Sequence, residues 1–222
     1  MARPIRCLIS AGPTREYFDP VRYVSNPSTG KMGYALAEAA CAIGWEVELV
    51  SGPVSLEPPA GAVLSRVMTG QEMFEAIDAR FGACDILIMT AALIDFRPRH
   101  VGPRKVKKED LEMAIEMEPV VDVLATMGRR KDGQFIVGFA AETDHVEEYA
   151  RRKLQSKNAD YIVANRIGVD GSGFAGDENH VFLLGRDGSR EELGPASKRA
   201  LGVALVARFA AALERRALVP AK

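Results

Sequence analysis

The sequence predicts an α/β fold in which helices cover both faces of a mostly parallel sheet, and two observations support this prediction. Short apolar segments alternate with amphipathic segments of helical period along most of the chain, which is typical of consecutive βαβ units. Breakers such as Gly12-Pro13 and Gly52-Pro53 follow the first apolar segments and end them. Because βαβ crossovers are right-handed, the carboxyl ends of these strands should meet along one edge of the sheet.

The first half of the chain carries the clearest βαβ pattern. Thr69 is predicted to cap the second helix, because Glu72 follows three residues later as in a capping box. Four residues are expected on the packed side of the first helix: Tyr34, Ala35, Leu36 and Ala39. The predicted elements are strands at residues 5–9, 46–50, 63–67 and 85–90, and helices at residues 31–43 and 70–81.

The pattern changes after residue 91. Basic residues crowd residues 97–108, and residues 111–117 alternate apolar and acidic side chains, which predicts a strand with one exposed face. These residues are therefore interpreted as a β excursion from the sheet. The later predicted elements are helices at residues 120–127, 145–157 and 197–216, strands at 134–142 and 160–165, a loop at 168–178, and a hairpin of residues 180–184 and 190–193.

Composition limits the classes of function. A chain of 222 residues that is 47% hydrophobic suits one domain spanning residues 1–222. Its 29 basic and 30 acidic residues nearly cancel, which favours neither nucleic acid nor an anionic membrane as a partner. The sequence shows neither a signal segment nor an apolar run of membrane-spanning length, so a cytoplasmic protein is expected. Cys7, Cys41 and Cys84 lie far apart and are interpreted as reduced thiols.

A loop of about twenty residues separates the first strand from the first helix, whereas βα loops usually need about 2 to 6. Five of its residues are small or polar: Ser25, Asn26, Ser28, Thr29 and Gly30. The loop ends at the amino end of a helix, where free backbone N–H groups favour phosphate. It matches neither a dinucleotide GxGxxG nor a P-loop. Phosphate binding is the interpretation, and an ordinary βα connection is the alternative.

Charged residues at other strand ends indicate a nucleotide site with phosphate chemistry. The basic residues 97–108 could neutralise a transferred phosphoryl or nucleotidyl group, or could only coat a solvated surface. Lys153 and Lys157 lie on one helix face, an arrangement that also serves solubility. Asp95 could orient a ribose or base, bind Mg²⁺ together with nucleotide phosphates, or act as a cap. The three histidines are too scattered for a triad or a zinc site.

A series of specific motifs in a fixed order carries a family resemblance. The motifs are Ala11-Gly-Pro-Thr-Arg-Glu, Asp19-Pro-Val-Arg-Tyr-Val-Ser-Asn26, Thr29-Gly-Lys-Met-Gly33, Ser51-Gly-Pro, Asp95-Phe-Arg-Pro98, Lys105-Val-Lys-Lys108, Val137-Gly-Phe-Ala-Ala-Glu-Thr143 and Ala164-Asn165. Through them, residues 5–213 resemble phosphopantothenate–cysteine ligase, also called phosphopantothenoylcysteine synthetase, of coenzyme A biosynthesis. The resemblance implies a Rossmann-like three-layer sandwich.

The resemblance also implies a two-step reaction. The carboxylate of 4'-phosphopantothenate attacks the α-phosphate of CTP, or of ATP, to give an acyl nucleotidylate and pyrophosphate. The amine of L-cysteine then displaces the nucleoside monophosphate. Mg²⁺ is implied as cofactor, without assigned ligands. A homodimer that uses residues 105–117 as its interface and a phosphopantothenoylcysteine decarboxylase, fused or separate, are the implied partners.

Site residues follow from the resemblance position by position. Asn26 should hold the substrate carboxylate or the acyl intermediate, Arg22 should support its loop, and Lys105 should act on the intermediate. The substrate-binding positions are Asn26, Ser28, Thr29 and Gly30. The nucleotide-binding positions are Gly12, Ala91, Asp95, Lys105, Pro119, Phe139, Lys153 and Lys157.

Three departures from the family pattern bear on the choice of nucleotide. Ser28-Thr29 replaces a usual Ser-Ser pair, Asn165-Arg166 replaces Asn-Asp, and residues 118–122 differ from the usual Asn-Pro-Asp. The choice of CTP over ATP therefore rests on the resemblance to the bacterial branch of the family.

Two other functions compete with the ligase. An NAD(P)-dependent oxidoreductase would share the fold, but the chain lacks GxGxxG after the first strand and an acid after the second. A non-catalytic nucleotide-binding protein would not need both Asn26 and Lys105.

Overall fold

The computed structural model describes residues 3–107, 114–167 and 176–218. Its strands are β1 (Arg6–Ala11), β2 (Arg15–Tyr17), β3 (Tyr23–Ser25), β4 (Glu46–Ser51), β5 (Ala62–Arg66), β6 (Ile86–Met89), β7 (Phe96–Pro98), β8 (Met117–Pro119), β9 (Phe135–Glu142), β10 (Tyr161–Arg166), β11 (Glu178–Gly185) and β12 (Arg190–Ser197). Its helices are α1 (Lys31–Ala42), α2 (Gly70–Phe81), α3 (Val123–Arg130), α4 (Val146–Ser156) and α5 (Lys198–Leu218).

Eight of the described strands form one central sheet in the order β12-β11-β10-β9-β6-β1-β4-β5. Neighbours from β5 to β10 are parallel, and β11 and β12 add an antiparallel hairpin at one edge. Because β11 runs against β10 and β12 runs against β11, β12 ends at the same edge as the parallel strands. The predicted mostly parallel sheet is confirmed.

Helices cover both faces of this sheet. Alternate side chains of one strand point to opposite faces, so Ile9 packs with α1 and α5 while Leu8 packs with α2, α3 and α4. On β4, Leu49 belongs to the same apolar cluster as Ile9, and Val50 belongs to the same cluster as Leu8. Each face of the sheet therefore buries its own apolar cluster, and the predicted three-layer sandwich is confirmed.

The predicted helix signals are also present. The Thr69 side chain accepts the N–H of Glu72, and the Glu72 side chain accepts the N–H of Thr69, which completes the capping box of α2. The four residues expected on the packed side of α1 are buried, as predicted: Tyr34, Ala35, Leu36 and Ala39.

Two predicted boundaries and one predicted loop differ from the structure. The helix expected at residues 120–127 begins at Val123, because the Asp122 side chain accepts the Ala125 N–H and caps it there. The last strand, expected to end at residue 193, continues to Ser197. The long loop contains a hairpin of β2 and β3, which are too short to show a period in the sequence.

The excursion from the sheet differs in part from its prediction. Of the strand expected at residues 111–117, residues 108–113 lie outside the described residues, as does Lys108 of the basic segment, and residues 114–116 are not in a strand. The strand found here is β8, which pairs with β7 in an antiparallel ribbon.

The three cysteines lie in surroundings that suppress ionisation of their thiols. Cys7, Cys41 and Cys84 form no disulfide, and burial raises the pKa of Cys7 well above its ordinary value and that of Cys84 to about 12. Their raised pKa values make the thiols poorly nucleophilic at neutral pH. None of the helices in the described ranges has the length and apolar character to span a membrane.

Candidate functional site

A cleft of about 440 Å³ opens at the carboxyl edge of the sheet. The chain leaves β1 through α1 to reach β4 on one side, and β6 lies on the other side, so the strand order reverses beside β1. Ligands of open α/β sheets bind at this kind of switch point. The cleft is lined by residues that follow β6, β9 and β10 and by the loop that precedes α1.

The loop before α1 forms one end of the cleft. Gly12 and Gly30 both have positive φ angles, which favour glycine. Gly30 also packs closely against Val54, because a Cβ at position 30 would lie only 2.9 Å from Val54 Cγ1. Gly30 starts α1 without a side-chain cap, and the first turn of α1 carries no acidic residue. The positive end of the helix dipole is therefore directed at the cleft end formed by Ser28, Thr29 and Gly30.

Asn26 joins this loop to the segment after β6. Its Nδ2 donates to the carbonyl oxygens of Leu93 at 2.8 Å and Ala92 at 3.3 Å. These two contacts hold the amide group against the segment after β6. Thr14 supports the same segment, because its hydroxyl accepts the Ile94 N–H at 3.3 Å.

Two lysines of α4 form the other end of the cleft. Lys153 Nζ donates to the Phe139 carbonyl at 3.0 Å, and Lys157 Nζ donates to Asp122 Oδ2 at 2.5 Å. Burial lowers the pKa of Lys153, and Lys157 acts in the same direction. Burial opposes the ionisation of Asp122, but the hydrogen bonds from Lys157 and the Ala125 N–H outweigh it and lower its pKa.

The cleft carries an excess of positive charge. Its charged lining residues are four lysines and two aspartates, which leaves two positive charges on a chain whose net charge is −1. They are Lys31, Asp95, Asp122, Lys153, Lys157 and Lys198. An anionic ligand such as a nucleotide or a phosphate ester suits this potential.

Nine of the thirteen sequence-predicted site residues line the cleft. They are Asn26, Ser28, Thr29, Gly30, Ala91, Asp95, Phe139, Lys153 and Lys157. Gly12 lies beside it, and its carbonyl accepts the Ala92 N–H at 2.9 Å. Pro119 directly precedes the lining residue Val120. The roles of these residues remain predictions.

Arg22 and Lys105 lie outside the cleft lining. Arg22 Nη2 donates to the Val106 carbonyl at 2.9 Å, which holds the segment that contains Lys105. The Lys105 side chain is exposed to solvent. The structure thus connects these two residues through Val106 without bringing them to the cleft.

Lys198 is a cleft residue that the sequence analysis missed. It directly follows β12, whose carboxyl end lies at the cleft edge, but the predicted strand ended at residue 193 and hid this position. Asn165, at the end of β10, also lines the cleft. In the part of the chain described here, no group of three His, Cys, Asp or Glu residues could hold a metal ion by itself. Asp95 and Asp122 are carboxylates of the kind that hold Mg²⁺ jointly with nucleotide phosphates.

Comparisons with known proteins agree with this architecture. The model of the "DNA/pantothenate metabolism flavoprotein C-terminal domain" family matches residues 3–213. The coenzyme A biosynthesis bifunctional protein CoaBC of Bacillus subtilis (strain 168) is 50% identical over 192 residues, which are 86% of this chain and 47% of that protein. The chain spans about half the length of the curated relatives it matches.

Solved structures are similar over nearly their whole length. The C-terminal domain of a CoaBC protein has a TM-score of 0.82 and 43% identity, covering 95% of this chain and 96% of that one. A Cab2 mutant in complex with phosphopantothenate-cysteine has a TM-score of 0.79 and covers 97% of this chain and 89% of that one. At 16% identity, this second likeness is one of fold.

Proposed function

The chain belongs to the family of the DNA/pantothenate metabolism flavoprotein C-terminal domain, and from this premise we propose that it is a phosphopantothenate–cysteine ligase. It joins 4'-phosphopantothenate and L-cysteine into phosphopantothenoylcysteine in coenzyme A biosynthesis. The observation that carries the proposal is that one cleft has two different ends. Lysines of α4 line one end, and the amino end of α1, which favours phosphate, lines the other. Such a cleft can hold a nucleotide and a phosphorylated acid together.

The proposed reaction has two balanced steps. The substrate carboxylate attacks the α-phosphorus of the nucleotide, a P–O bond forms, and pyrophosphate leaves. The cysteine amine then attacks the acyl carbon, the nucleoside monophosphate leaves, and the amine loses a proton as the amide forms. When bound with the triphosphate, Mg²⁺ would offset negative charge, and Asp95 and Asp122 are the carboxylates of the cleft lining that would hold it.

The chain's own residues bind and orient in this scheme. Asn26 positions the carboxylate, and Ser28 to Gly30 bind phosphate oxygens through hydroxyl and N–H groups. Lys153 and Lys157 attract the nucleotide and are held in place by Phe139 and Asp122. Lys105 stabilises the charge of the intermediate from the segment held by Arg22.

CTP is the proposed nucleotide, because the resemblance is to the bacterial branch of the family and the CoaBC relative that is 50% identical is that of the bacterium Bacillus subtilis. A cytoplasmic location and a decarboxylase that consumes the product are proposed on the same basis. The relatives are named bifunctional and are about twice as long, which is consistent with such a partner.

A homodimer is proposed through the ribbon of β7 and β8. Phe96 and Met117 of this ribbon are 54% and 38% exposed, and Val21, Val101 and Ile115 are also exposed apolar residues. Apolar side chains that are this exposed to solvent are typical of a surface that another chain covers.

Pyrophosphate release by the purified protein tests the reaction. With 4'-phosphopantothenate and Mg²⁺, we expect release from CTP in preference to ATP, and amide product only when cysteine is added. Release that does not depend on phosphopantothenate would mean hydrolysis of the nucleotide and would contradict the ligase, and no release with either nucleotide would leave a nucleotide-binding protein as the function.

Variants test the assigned residues. Asn26→Ala and Lys105→Gln should each lower turnover by about 10²-fold or more while nucleotide binding persists, because each removes a contact made to the reacting groups. Equilibrium binding of CTP and single-turnover pyrophosphate release would be measured. Unchanged turnover in both variants would contradict the assignments.

A further inference from the structure

The pairing of β1 with β6 continues past the ends of both strands. The Ala92 N–H donates to the Gly12 carbonyl at 2.9 Å, and Pro13 and Ala92 form a parallel bridge. Bonds of a parallel ladder recur every two residues, so the next one would join the Ile94 N–H to the Thr14 carbonyl. The Ile94 N–H donates instead to the Thr14 hydroxyl, at 3.3 Å. The side chain of Thr14 thus replaces its own carbonyl as the acceptor of the ladder.

The Thr14 carbonyl accepts a hydrogen bond from the loop before α1. The Ser25 hydroxyl donates to it at 2.7 Å. Thr14 is fully buried, and a buried carbonyl needs a donor, which Ser25 supplies. Ser25 directly precedes Asn26 in the chain. This bond therefore ties the backbone beside Asn26 to the end of the β1–β6 ladder.

The Asn26 side chain contacts the segment that the Thr14 hydroxyl holds. Its Nδ2 donates to the carbonyls of Ala92 and Leu93, the two residues that precede Ile94. Thr14 is consequently linked to Asn26 twice. Its carbonyl holds the backbone before Asn26, and its hydroxyl holds the segment whose carbonyls accept from the Asn26 amide.

We propose that Thr14 is a positioning residue, which fixes Asn26 in the cleft through its hydroxyl and through the bond it accepts from Ser25. Thr14 does not itself line the cleft, so any effect on the reaction passes through its neighbours. The inference deepens the proposed function and rests on it for the role of Asn26. A displacement of about 1 Å in a group that orients a substrate can cost about 10²-fold in rate, so a small shift of Asn26 is enough.

Steady-state pyrophosphate release with 4'-phosphopantothenate, CTP and cysteine tests the inference. In Thr14→Val, which replaces the hydroxyl by a methyl group, kcat should fall about tenfold or more while KM for CTP changes less than about twofold. Thr14→Ser keeps the hydroxyl and should retain kcat within about threefold. Thr126→Val is the matched control, because the Thr126 hydroxyl is also an acceptor but lies on α3 outside the cleft lining, and kcat should not change.

A double-mutant cycle shows whether Thr14 acts through Asn26. In an Asn26→Ala background, Thr14→Val should lower kcat by less than about twofold further. Full additivity of the two substitutions would overturn the inference, as would wild-type kcat in Thr14→Val. A raised KM for CTP with unchanged kcat would also overturn it, because the hydroxyl would then act on Asp95, which follows Ile94.

The side-chain amide of Asn26 gives a measurement that does not depend on the reaction. Its NMR signals would be assigned by comparison with Asn26→Ala, and their heteronuclear NOE reports motion on the ps–ns timescale. The NOE should be lower in Thr14→Val than in the wild-type protein and in Thr14→Ser. An equal NOE in all three would overturn the inference. If the wild-type protein made no amide but Thr14→Val loosened the Asn26 side chain, only the ligase proposal would fail.

Ser25→Ala keeps the inference testable if Thr14→Val does not fold. Ser25 is exposed, so its substitution leaves the core intact, and it removes only the bond to the Thr14 carbonyl. We expect kcat to fall about threefold or more, with a lower NOE for the Asn26 amide. Wild-type values of both quantities in Ser25→Ala would overturn the inference.

Discussion

Asn26 and Lys105, to which the family resemblance assigns the chemistry, lie in different surroundings. Asn26 lines the cleft and is fixed by two carbonyl groups, whereas Lys105 is exposed and outside the cleft lining. The position of Lys105 therefore depends on how its neighbour Val106 is held. Asp19 Oδ2 accepts the Val106 N–H at 3.4 Å, and Arg22 Nη2 donates to the Val106 carbonyl at 2.9 Å.

Asp19 is consequently predicted to be a positioning residue for Lys105. Burial opposes its ionisation, but the N–H groups of Val21, Arg22 and Val106 outweigh burial and lower its pKa. In Asp19→Asn, the new amide would face these N–H donors either with its NH₂ group, which cannot accept a hydrogen bond, or with its oxygen, which accepts more weakly than a carboxylate. We expect kcat to fall about tenfold or more with little change in KM for the nucleotide, measured by steady-state pyrophosphate release.

A double-mutant cycle separates positioning from general damage. If Asp19 acts through Lys105, Asp19→Asn should cost little further activity in a Lys105→Gln background. Asp187→Asn, in the turn between β11 and β12, is the control and should leave turnover unchanged. Full additivity of Asp19→Asn and Lys105→Gln would exclude the positioning role.

Residues of the cleft differ in how far the sequence could predict them. Ser28 and Asp95 lie beside clear elements and Phe139 lies in the second half of β9, and a parallel sheet must bring these positions to one edge. Lys198 required the correct end of β12, which Gly194-Pro195 obscured in the sequence. The link from Arg22 to Val106 joins residues far apart in the chain, and no local pattern encodes it.

At the scale of elements, the amino end of α2 is hydrogen-bonded to a buried carboxylate of strand β2. Glu16 of β2 is 4% exposed, and its Oε1 accepts the Gly70 N–H at 2.7 Å. Burial raises the pKa of Glu16 from its ordinary value of 4.5, against the opposing effect of that hydrogen bond. The raised pKa means that ionisation of Glu16 costs folding stability.

Glu16→Gln should therefore raise the melting temperature slightly at pH 7, by about 1 to 3 °C, because it keeps the acceptor and removes the charge. The stabilisation of the protonated wild-type form is complete below pH 4.5 and is lost as pH rises through the raised pKa. The two proteins should accordingly converge in stability below pH 4.5. Thermal unfolding across this pH range checks the sign, and Glu16→Ala, which removes the acceptor, should destabilise at every pH.

The contact between α1 and β1 requires a glycine at position 33. A Cβ there would lie 2.5 Å from Thr90 Oγ1 and 2.6 Å from Ala11 Cβ. Gly33→Ala should lower the free energy of unfolding by about 1 to 3 kcal/mol through overpacking, measured by urea denaturation. Gly82→Ala is the matched control, since nothing lies within 4 Å of its Cβ and its φ is −63°, so stability should not fall. Equal stability of the two variants would refute this account.

The elements that the sequence predicted correctly share a physical property. The strand β6 is a continuous run of buried apolar residues, and α2 buries Met73, Ile77 and Phe81 at helical spacing, so both leave a clear pattern in the sequence. The strands β2, β3, β7 and β8 have three residues each; β2 pairs with β3 within the loop before α1, and β7 pairs with β8 across the excursion. Their position is set by contacts beyond the local sequence, so periodicity could not reveal them.

At the scale of the whole molecule, the ribbon of β7 and β8 is the surface that we propose a second copy of the chain covers. The ribbon of β7 and β8 lies apart from the eight-stranded sheet and presents Phe96 and Met117 to solvent. Another exposed apolar residue, Val63, is 63% exposed on the edge strand β5 at one end of the sheet. The two surfaces offer a direct comparison of a proposed interface with an ordinary exposed position.

Phe96→Glu should shift the protein from dimer to monomer. Burial of the aromatic ring favours the proposed interface, whereas burial of a carboxylate at the same place would cost its hydration. Sedimentation equilibrium should show a dissociation constant about 10- to 100-fold higher than that of the wild-type protein. Val63→Glu introduces the same charge at a site of similar exposure and should leave the dimer intact. A wild-type protein that stayed monomeric at all concentrations would refute the dimer. A dimer unaffected by Phe96→Glu would place its interface elsewhere and leave the exposed ribbon without that function.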